Sequence, residues 1–257
     1  MRPELQNVLV TGAGDSVGRR IAEAFLARGD QVHVCDVLPA ALEGAVAASP
    51  GMRGTVADIG RDDDVERLFR EALDWMDHVD VLVNCVGIAG PRAPVEDIPP
   101  DGWNEVLNVN ITGFFRCIKL AVPGMKERRH GSIVNFSSCS SHLAPPLRAA
   151  YVTSKAAVEG LTRCLARELG PYDVRCNAIL PGAIDNERFQ TIVERNAAAR
   201  RMPAAEYRGE LLRYVSLRRA IDMDEFADLV LFLCSPTGRG ITGQLIRLDG
   251  NVEWESE

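Results

Sequence analysis

The chain has 257 residues, 46% of them hydrophobic and 25% charged, which is the balance of a globular protein able to bury a large core without staples. A formal net charge of −7 argues against a nucleic-acid binder or a binder of anionic membrane. No charged-then-apolar leader opens the sequence and no apolar run is long enough to span a bilayer, so the expected compartment is the cytoplasm.

Asn7 to Val10 reads as a short apolar strand, followed by TGAGDSVG at 11–18. In the next stretch Val17, Ile21, Ala24, Phe25 and Ala27 recur at helical spacing, and Gly29 is a fitting stop. Gln31 to Cys35 reads as a strand ending at Asp36, then a helix over Ala40 to Ala48, then a strand near Met52 to Ala57 closing on Asp58. Asp62 to Trp75 is a helix whose acidic first turn suits the macrodipole. Val79 to Val83 is a buried strand, Pro91 to Pro100 a loop, and Asp101 to His130 a long helical stretch with breaks expected near Gly113 and Pro123. A strand over Ser132 to Phe136 precedes a helix over Tyr151 to Gly170, with Val158, Leu161, Leu165 and Leu169 as its buried stripe. Val174 to Leu180 is a strand stopped by Pro181-Gly182. An arginine-rich segment, 183–220, leads to a helix over Met223 to Cys234 and a last strand over Gln244 to Leu248.

Strands thus alternate with helices, and each strand is nearly all apolar, as in a parallel sheet covered on both faces. No repeat or Gly/Ser/Pro linker divides the chain, so the expectation is a single doubly wound α/β domain over 1–257, with an inserted segment at about 183–220.

A glycine-rich turn from the first strand into the first helix can seat a pyrophosphate on free helix N–H groups. Gly12, Gly14 and Gly18 supply the close approach and the positive-φ freedom. Asp36, ending the second strand, can accept hydrogen bonds from both adenosine ribose hydroxyls and repels a 2′-phosphate; Asp15 adds a second negative charge, and no basic residue follows Asp36 immediately. NAD is therefore expected over NADP. The plain alternative for Asp36 is a cap on the helix near Pro39. Asp58 is placed either to receive the adenine amino group or to cap a helix.

Seven scattered cysteines form no CxxC pair, and with four distant histidines they give no zinc spacing, so no metal site is expected. They read as small buried hydrophobes. Cys139, beside the serine run, is the one to weigh as a nucleophile, although no histidine stands at an obviously suitable place.

TGAGDSVG at 11–18, Asp36, Asp58, NCVG at 84–87, NVN at 108–110, Ser138, YVTSK at 151–155 and NAILPG at 177–182 together resemble the short-chain dehydrogenase/reductase family, in its order and spacing and over essentially the whole chain. The resemblance implies a Rossmann-type sheet of seven parallel strands and a nicotinamide cofactor. It also implies a homo-oligomer, a tetramer rather than a dimer, packed through the helices near 101–122 and 151–170. Cofactor contacts are implied for Gly12, Gly14, Asp15, Ser16, Val17, Gly18, Asp36, Asp58, Ile59, Asn84, Val86, Gly87, Tyr151, Lys155, Pro181, Gly182 and Ile184.

The catalytic set is Ser138, Tyr151, Lys155 and Asn110. Removing hydride from an alcohol requires removing the hydroxyl proton too, and a free phenol, near 10, is a poor base at neutral pH. An ammonium one helical turn away favours phenolate, so Tyr151 is assigned as acid/base and Lys155 as its electrostatic partner. By resemblance Lys155 also holds the nicotinamide ribose. Only three of the chain's 29 basic residues are lysines, and an arginine could not serve there in the same way. Ser138, thirteen residues before the tyrosine, is favoured over Ser137, Ser140 and Ser141 to hold the substrate oxygen. Asn110 resembles the family asparagine that anchors a water in the proton relay. Two departures stand out: Ser16 replaces the middle glycine of the family loop, and Asn186, after Asp185, stands where the family has a threonine. Retained but altered cofactor closure is expected from the second. Val86 is bulkier than the family's usual alanine.

By resemblance the 183–220 segment folds over the substrate. It holds eight arginines (188, 195, 200, 201, 208, 213, 218 and 219), suited to a carboxylate, phosphate or sulfonate. The plain account is a solvated helix pair laced with ion pairs. Ser140, His142, Arg148 and Arg188 are the substrate-contact candidates, and they point to a polar, hydroxylated small molecule: a sugar, polyol or hydroxy acid, oxidised from alcohol to ketone or from hemiacetal to lactone. A 3-oxoacyl-thioester reductase and a non-enzymatic nucleotide sensor or scaffold are the alternatives. The acidic WESE end at 254–257 reads as a frayed tail.

Overall fold

The computed structural model describes residues 5–253; the WESE end lies outside the described residues. Strands β1 (Asn7–Thr11), β2 (Gln31–Asp36), β3 (Arg53–Val56), β4 (Val81–Asn84), β5 (Gly131–Phe136), β6 (Val174–Pro181) and β7 (Leu245–Leu248) form one sheet in the order β3-β2-β1-β4-β5-β6-β7. Every pairing is parallel. The helices between them are α1 (Ser16–Arg28), α2 (Pro39–Ala48), α3 (Asp62–Met76), α4 (Pro100–Leu107), α5 (Gly113–Arg128), α6 (Ser140–Leu143), α7 (Ala149–Leu169), α8 (Glu187–Arg200), α9 (Ala204–Leu212) and α10 (Met223–Cys234).

Successive strand residues face opposite sides, so an all-apolar strand feeds two cores. In β1, Leu9 packs with Leu68 of α3, Phe114 of α5 and Val158 of α7. Its neighbours Val8 and Val10 pack with Ile21 and Phe25 of α1, Leu42 of α2 and Phe226 of α10. Phe25, Phe114 and Phe226 are fully buried, each contributing about 1.5–3 kcal/mol of apolar transfer. The chain is therefore a Rossmann-type α/β fold, as its strand pattern predicts.

The strand order reverses beside β1, which pairs with both β2 and β4. Turns leaving the C-terminal ends of β1 and β4 diverge there and open a crevice.

Two expected helix breaks come out differently. Near Gly113 the helix is not broken: Asn108–Thr112 forms a π turn joining α4 to α5. One residue more per turn keeps the helix continuous while turning the buried Asn110 inward. Pro123 sits within α5 without ending it. Pro123 and Lys119, whose carbonyl loses its helical donor, are both exposed, and water can satisfy that carbonyl.

Residues 182–222, between β6 and α10, carry α8 and α9. They hold small apolar clusters of their own, one built on Val193, Ala197 and Tyr207, the other on Leu212, Val215 and Ala220.

Candidate active site

A cleft of about 950 Å³ opens at the C-terminal ends of the strands. Its wall includes Gly12, Asp15, Ser16, Val17, Gly18, Asp36, Asp58, Ile59, Val86, Gly87, Ser138, Ser140, Arg148, Tyr151, Lys155, Pro181, Gly182, Ile184 and Arg188, all expected from the sequence. Asp36 ends β2 and Ser138 follows β5, three strand spacings away across β1 and β4, roughly 14 Å. That span crosses the switch point, as an extended dinucleotide would.

The glycine loop is held by contact as much as by φ. Gly12 has φ +67, and a Cβ on Gly18 would stand 2.2 Å from the Gly12 carbonyl oxygen. Only glycine lets α1 meet β1 this closely. Gly14 lies off the cleft wall: a Cβ there would meet the Asp36 carboxyl at 3.0 Å, and its N–H donates to Asp36 Oδ2 at 3.0 Å. The Leu38 N–H, at the start of α2, donates to Asp36 Oδ1 at 3.0 Å. Asp36 therefore does not cap α2, whose N-cap is Leu38 and has no side-chain cap bond; its carboxylate holds two backbone donors, and each oxygen keeps a lone pair facing the cleft wall. Asp58 Oδ1 accepts from the Gly60 N–H at 2.8 Å and does not cap α3, whose N-cap is Arg61. The residues present therefore fit a nicotinamide dinucleotide, with a close-approach glycine loop and a glycine, Gly87, where a Cβ would meet Lys155 Nζ at 3.1 Å.

Ser16 takes the left-handed conformation, φ +55, which explains why a glycine suits that position. Its hydroxyl oxygen accepts from Asn186 Nδ2 at 2.8 Å, while Asn186 Oδ1 accepts from the Phe189 N–H at 2.9 Å and caps α8. The two departures from the family pattern are thus bonded to one another.

At the other end, α7 carries Tyr151, Lys155 and Glu159 at four-residue spacing, on one face. Lys155 is buried, donates to the Phe136 carbonyl at 2.8 Å, and lies 5.9 Å from the centre of the Tyr151 ring. Burial pulls its pKa down from 10.5 to about 8. The Ser137 hydroxyl lies between the Lys155 carbonyl at 3.0 Å and Glu159 at 2.9 Å, and the single Ser141 hydroxyl proton is shared between the Ser138 carbonyl at 2.6 Å and Glu159. Ser138 Oγ accepts from the Ser140 N–H at 3.1 Å, a bond that does not use its own proton. The fold itself thus separates Ser138 from Ser137 and Ser141.

Besides Gly14, three expected site residues stand off the wall. Asn84 is fully buried and its side chain donates to Asn135 Oδ1 at 2.9 Å, joining β4 to β5. Asn110 is fully buried: it accepts from the Ile88 N–H at 2.8 Å and donates to the Ile88 carbonyl at 2.9 Å and Ser154 Oγ at 3.0 Å. Its side chain fixes the loop after β4. His142, expected at the substrate, is turned to Glu159 with Nε2 3.2 Å away, because a buried carboxylate on α7 draws it from the cleft. Glu159 was not anticipated, although its spacing from Tyr151 and Lys155 marks the same helix face.

Burial pushes the Cys139 thiol up to about 11, the opposite of what a nucleophile needs. Among the described residues no group of three or more His, Cys, Asp or Glu side chains is placed to hold a metal ion. No helix there is long and apolar enough to cross a membrane.

Residues 12–252 match the family model described as Enoyl-(Acyl carrier protein) reductase. A probable galactose dehydrogenase, GalD, of Rhizobium meliloti is 34% identical over 257 residues, 97% of this chain and 96% of the relative. This chain belongs to the short-chain dehydrogenase/reductase family. Another relative in that family is the 3-oxoacyl-[acyl-carrier-protein] reductase FabG of Thermotoga maritima, 31% identical over 98% of this chain and 99% of the relative. A crystal structure of NAD+-bound xylitol dehydrogenase superposes with a TM-score of 0.87 at 30% identity, covering 95% of this chain and 97% of the other. As a short-chain dehydrogenase/reductase, the chain is an oxidoreductase that uses a nicotinamide nucleotide and a small-molecule substrate.

Proposed function

We propose that this chain is an NAD-dependent dehydrogenase that interconverts a secondary alcohol and a ketone, or a hemiacetal and a lactone, on a polar substrate. The convergence of Ser138, Tyr151 and Lys155 on one wall of the cleft carries this reading. Ser138 gives its proton to the substrate oxygen and holds it beside the phenol. Tyr151 takes the hydroxyl proton in oxidation and returns it in reduction. Lys155, while protonated, favours the phenolate. The nicotinamide ring, when bound, accepts the hydride. Asn110 acts through the backbone of Ile88, which keeps Gly87 clear of Lys155 Nζ.

NAD is preferred on the strength of Asp15, Asp36 and Asp58 on the cleft wall, since a 2′-phosphate there would meet like charge. The galactose and xylitol dehydrogenases among the relatives support a polyol or sugar-like substrate. The FabG relative favours a second reading, reduction of a 3-oxoacyl thioester. Phe115 is 51% exposed and Leu120 36% exposed on α5, apolar surface of the kind a subunit interface covers, in keeping with the homo-oligomer proposed.

Absorbance at 340 nm tests the reading, with NAD and NADP offered separately to sugars, polyols and hydroxy acids, and NADH and NADPH to acetoacetyl thioesters. Turnover of polar alcohols with NAD is expected. Turnover confined to NADPH and the thioester would replace this reading with the reductase.

A further inference from the structure

The arginines of the chain are not equivalent. In the 182–222 segment, Arg200 pairs with Glu210 at 3.2 Å, Arg208 with Asp185 at 3.2 Å and Arg219 with Glu225 at 2.5 Å. These are the helix-lacing ion pairs of the plain account, and they commit those charges to the fold. Arg148 and Arg188 differ: both stand on the cleft wall, and neither makes an ion pair among the described residues. Arg148 is partly buried and lies over the Tyr151 ring, its guanidinium carbon 4.5 Å from the ring centre.

The charges around Arg148 make its position costly. Burial opposes its ionisation, as do the nearby charges of Arg188 and Arg92, while Tyr151 and Cys139 favour it only in part. Among the described residues no carboxylate offsets them: Glu105 and Glu187, both on the cleft wall, pair with none of the three. An arginine does not escape such a site by losing its proton. The backbone that presents Arg148 is also strained. Ala144 at φ +45 and Leu147 at φ +65 both take the left-handed conformation in the loop before it. Such outliers are retained where the placement they enforce has a use. Arg148 is the N-cap of α7, whose first turn has no side-chain cap, so its N–H groups and dipole add positive potential.

We propose that the substrate is an oxyanion, with a carboxylate or phosphate close to the reacting carbinol, received by Arg148 against the Tyr151 ring and supported by Arg188 from α8. The anion supplies the missing countercharge. The planar guanidinium grips it through two parallel hydrogen bonds, and its fixed place over the ring sets the carbinol beside Tyr151. Arg92 adds long-range attraction. This inference rests on the reading of Tyr151 as the acid/base and narrows its substrate class.

The test titrates the NADH-loaded protein with two matched pairs: acetoacetate with methyl acetoacetate, and dihydroxyacetone phosphate with dihydroxyacetone. NADH fluorescence reports binding, and loss of absorbance at 340 nm reports turnover. At least one charged ketone is expected to bind roughly tenfold or more tightly than its neutral partner, an advantage that shrinks with added salt. The pair that shows it tells carboxylate from phosphate. Arg148→Gln should remove most of that advantage and Arg188→Gln part of it, with NADH affinity intact in both; Arg148→Lys should restore the attraction but not the full discrimination. Equal binding within both pairs, binding of neither anion, or an anion preference that survives Arg148→Gln would overturn the proposal. The dehydrogenase reading fails separately: it falls if Tyr151→Phe leaves turnover of the neutral ketones untouched.

Discussion

The two ends of the cleft carry opposite charge. Below β1, β2 and β3 the wall presents Asp15, Asp36 and Asp58; beyond β5 and β6 it presents Lys155, Arg148 and Arg188. The acidic end is wired to the backbone, since Asp36 and Asp58 each hold N–H groups of the loops they sit in. At the basic end Lys155 is wired to the Phe136 carbonyl, while Arg148 and Arg188 make no ion pair among the described residues. The difference separates two kinds of selection. On the proposed reading, the end that would select the nucleotide is built into turns the chain needs in order to fold, whereas the arginines proposed to select the substrate could change without disturbing the sheet.

That contrast can be broken first where the two ends meet. Tyr151→Phe should lower kcat about 10²- to 10⁴-fold while NADH binding, read by fluorescence, persists. Unchanged kcat would place the acid/base elsewhere. Lys155→Met should lose turnover on the same scale yet make the protein more stable. Burial holds Lys155 at about 8 against 10.5, so the unfolded chain binds more protons between those values. Stability therefore rises with pH across that window, and the penalty of about 3 kcal/mol is fully present below pH 8. Removing the charge relieves it, less about 1 kcal/mol for the orphaned Phe136 carbonyl. A Tm raised by several degrees at pH 7 is the expected result, and a lowered Tm would mean the ammonium is stabilising. In the wild type the same pKa predicts that kcat/KM for oxidation falls as pH rises past about 8, where the ammonium is lost.

Asp36→Asn sharpens the contrast at the acidic end. It removes the charge but keeps one acceptor, so the ratio of NAD to NADP affinity should fall about tenfold. A ratio unmoved in a titration of both nucleotides would shift the discrimination to Asp15 and Asp58. The smallest effect belongs to the hydrogen bond between Ser16 and Asn186. Asn186→Ala, which removes that bond and the Oδ1 cap of α8, should weaken NAD binding only a few-fold, in line with hydrogen bonds of about 1 kcal/mol each lying beside the cofactor rather than on it.

Much of this was legible in the sequence because it depends on local period and fixed spacing. The apolar runs gave all seven strands within a few residues, and Asp36, Tyr151 and Lys155 lie in motifs whose geometry is short-range. What escaped was set by tertiary contacts. One extra residue in the turn at Asn108–Thr112 leaves the apolar spacing almost unchanged, so the π turn looked like a break. Pro123 looked like another because the pattern does not say whether the freed carbonyl faces water. His142 reads as a cleft residue until Glu159, seventeen positions on, is seen to draw it away. The arginines between 188 and 219 look alike in sequence; only the fold sorts those spent on Asp185, Glu210 and Glu225 from Arg188.

The bond between Ser16 and Asn186 also bears on how the chain can change. It joins positions 170 residues apart, and each, taken alone, is a departure from the family pattern. Ser16 bears the strain of a left-handed side-chain residue, about 1–2 kcal/mol, and the amide it receives offsets part of that. The two positions are therefore epistatic. Restoring glycine at 16 relieves strain but strands the Asn186 amide, whereas restoring threonine at 186 leaves the strained serine without its partner. A double-mutant cycle on Ser16→Gly and Asn186→Thr should show a coupling of about 0.5 kcal/mol or more in stability, with the double variant better than the two single changes predict.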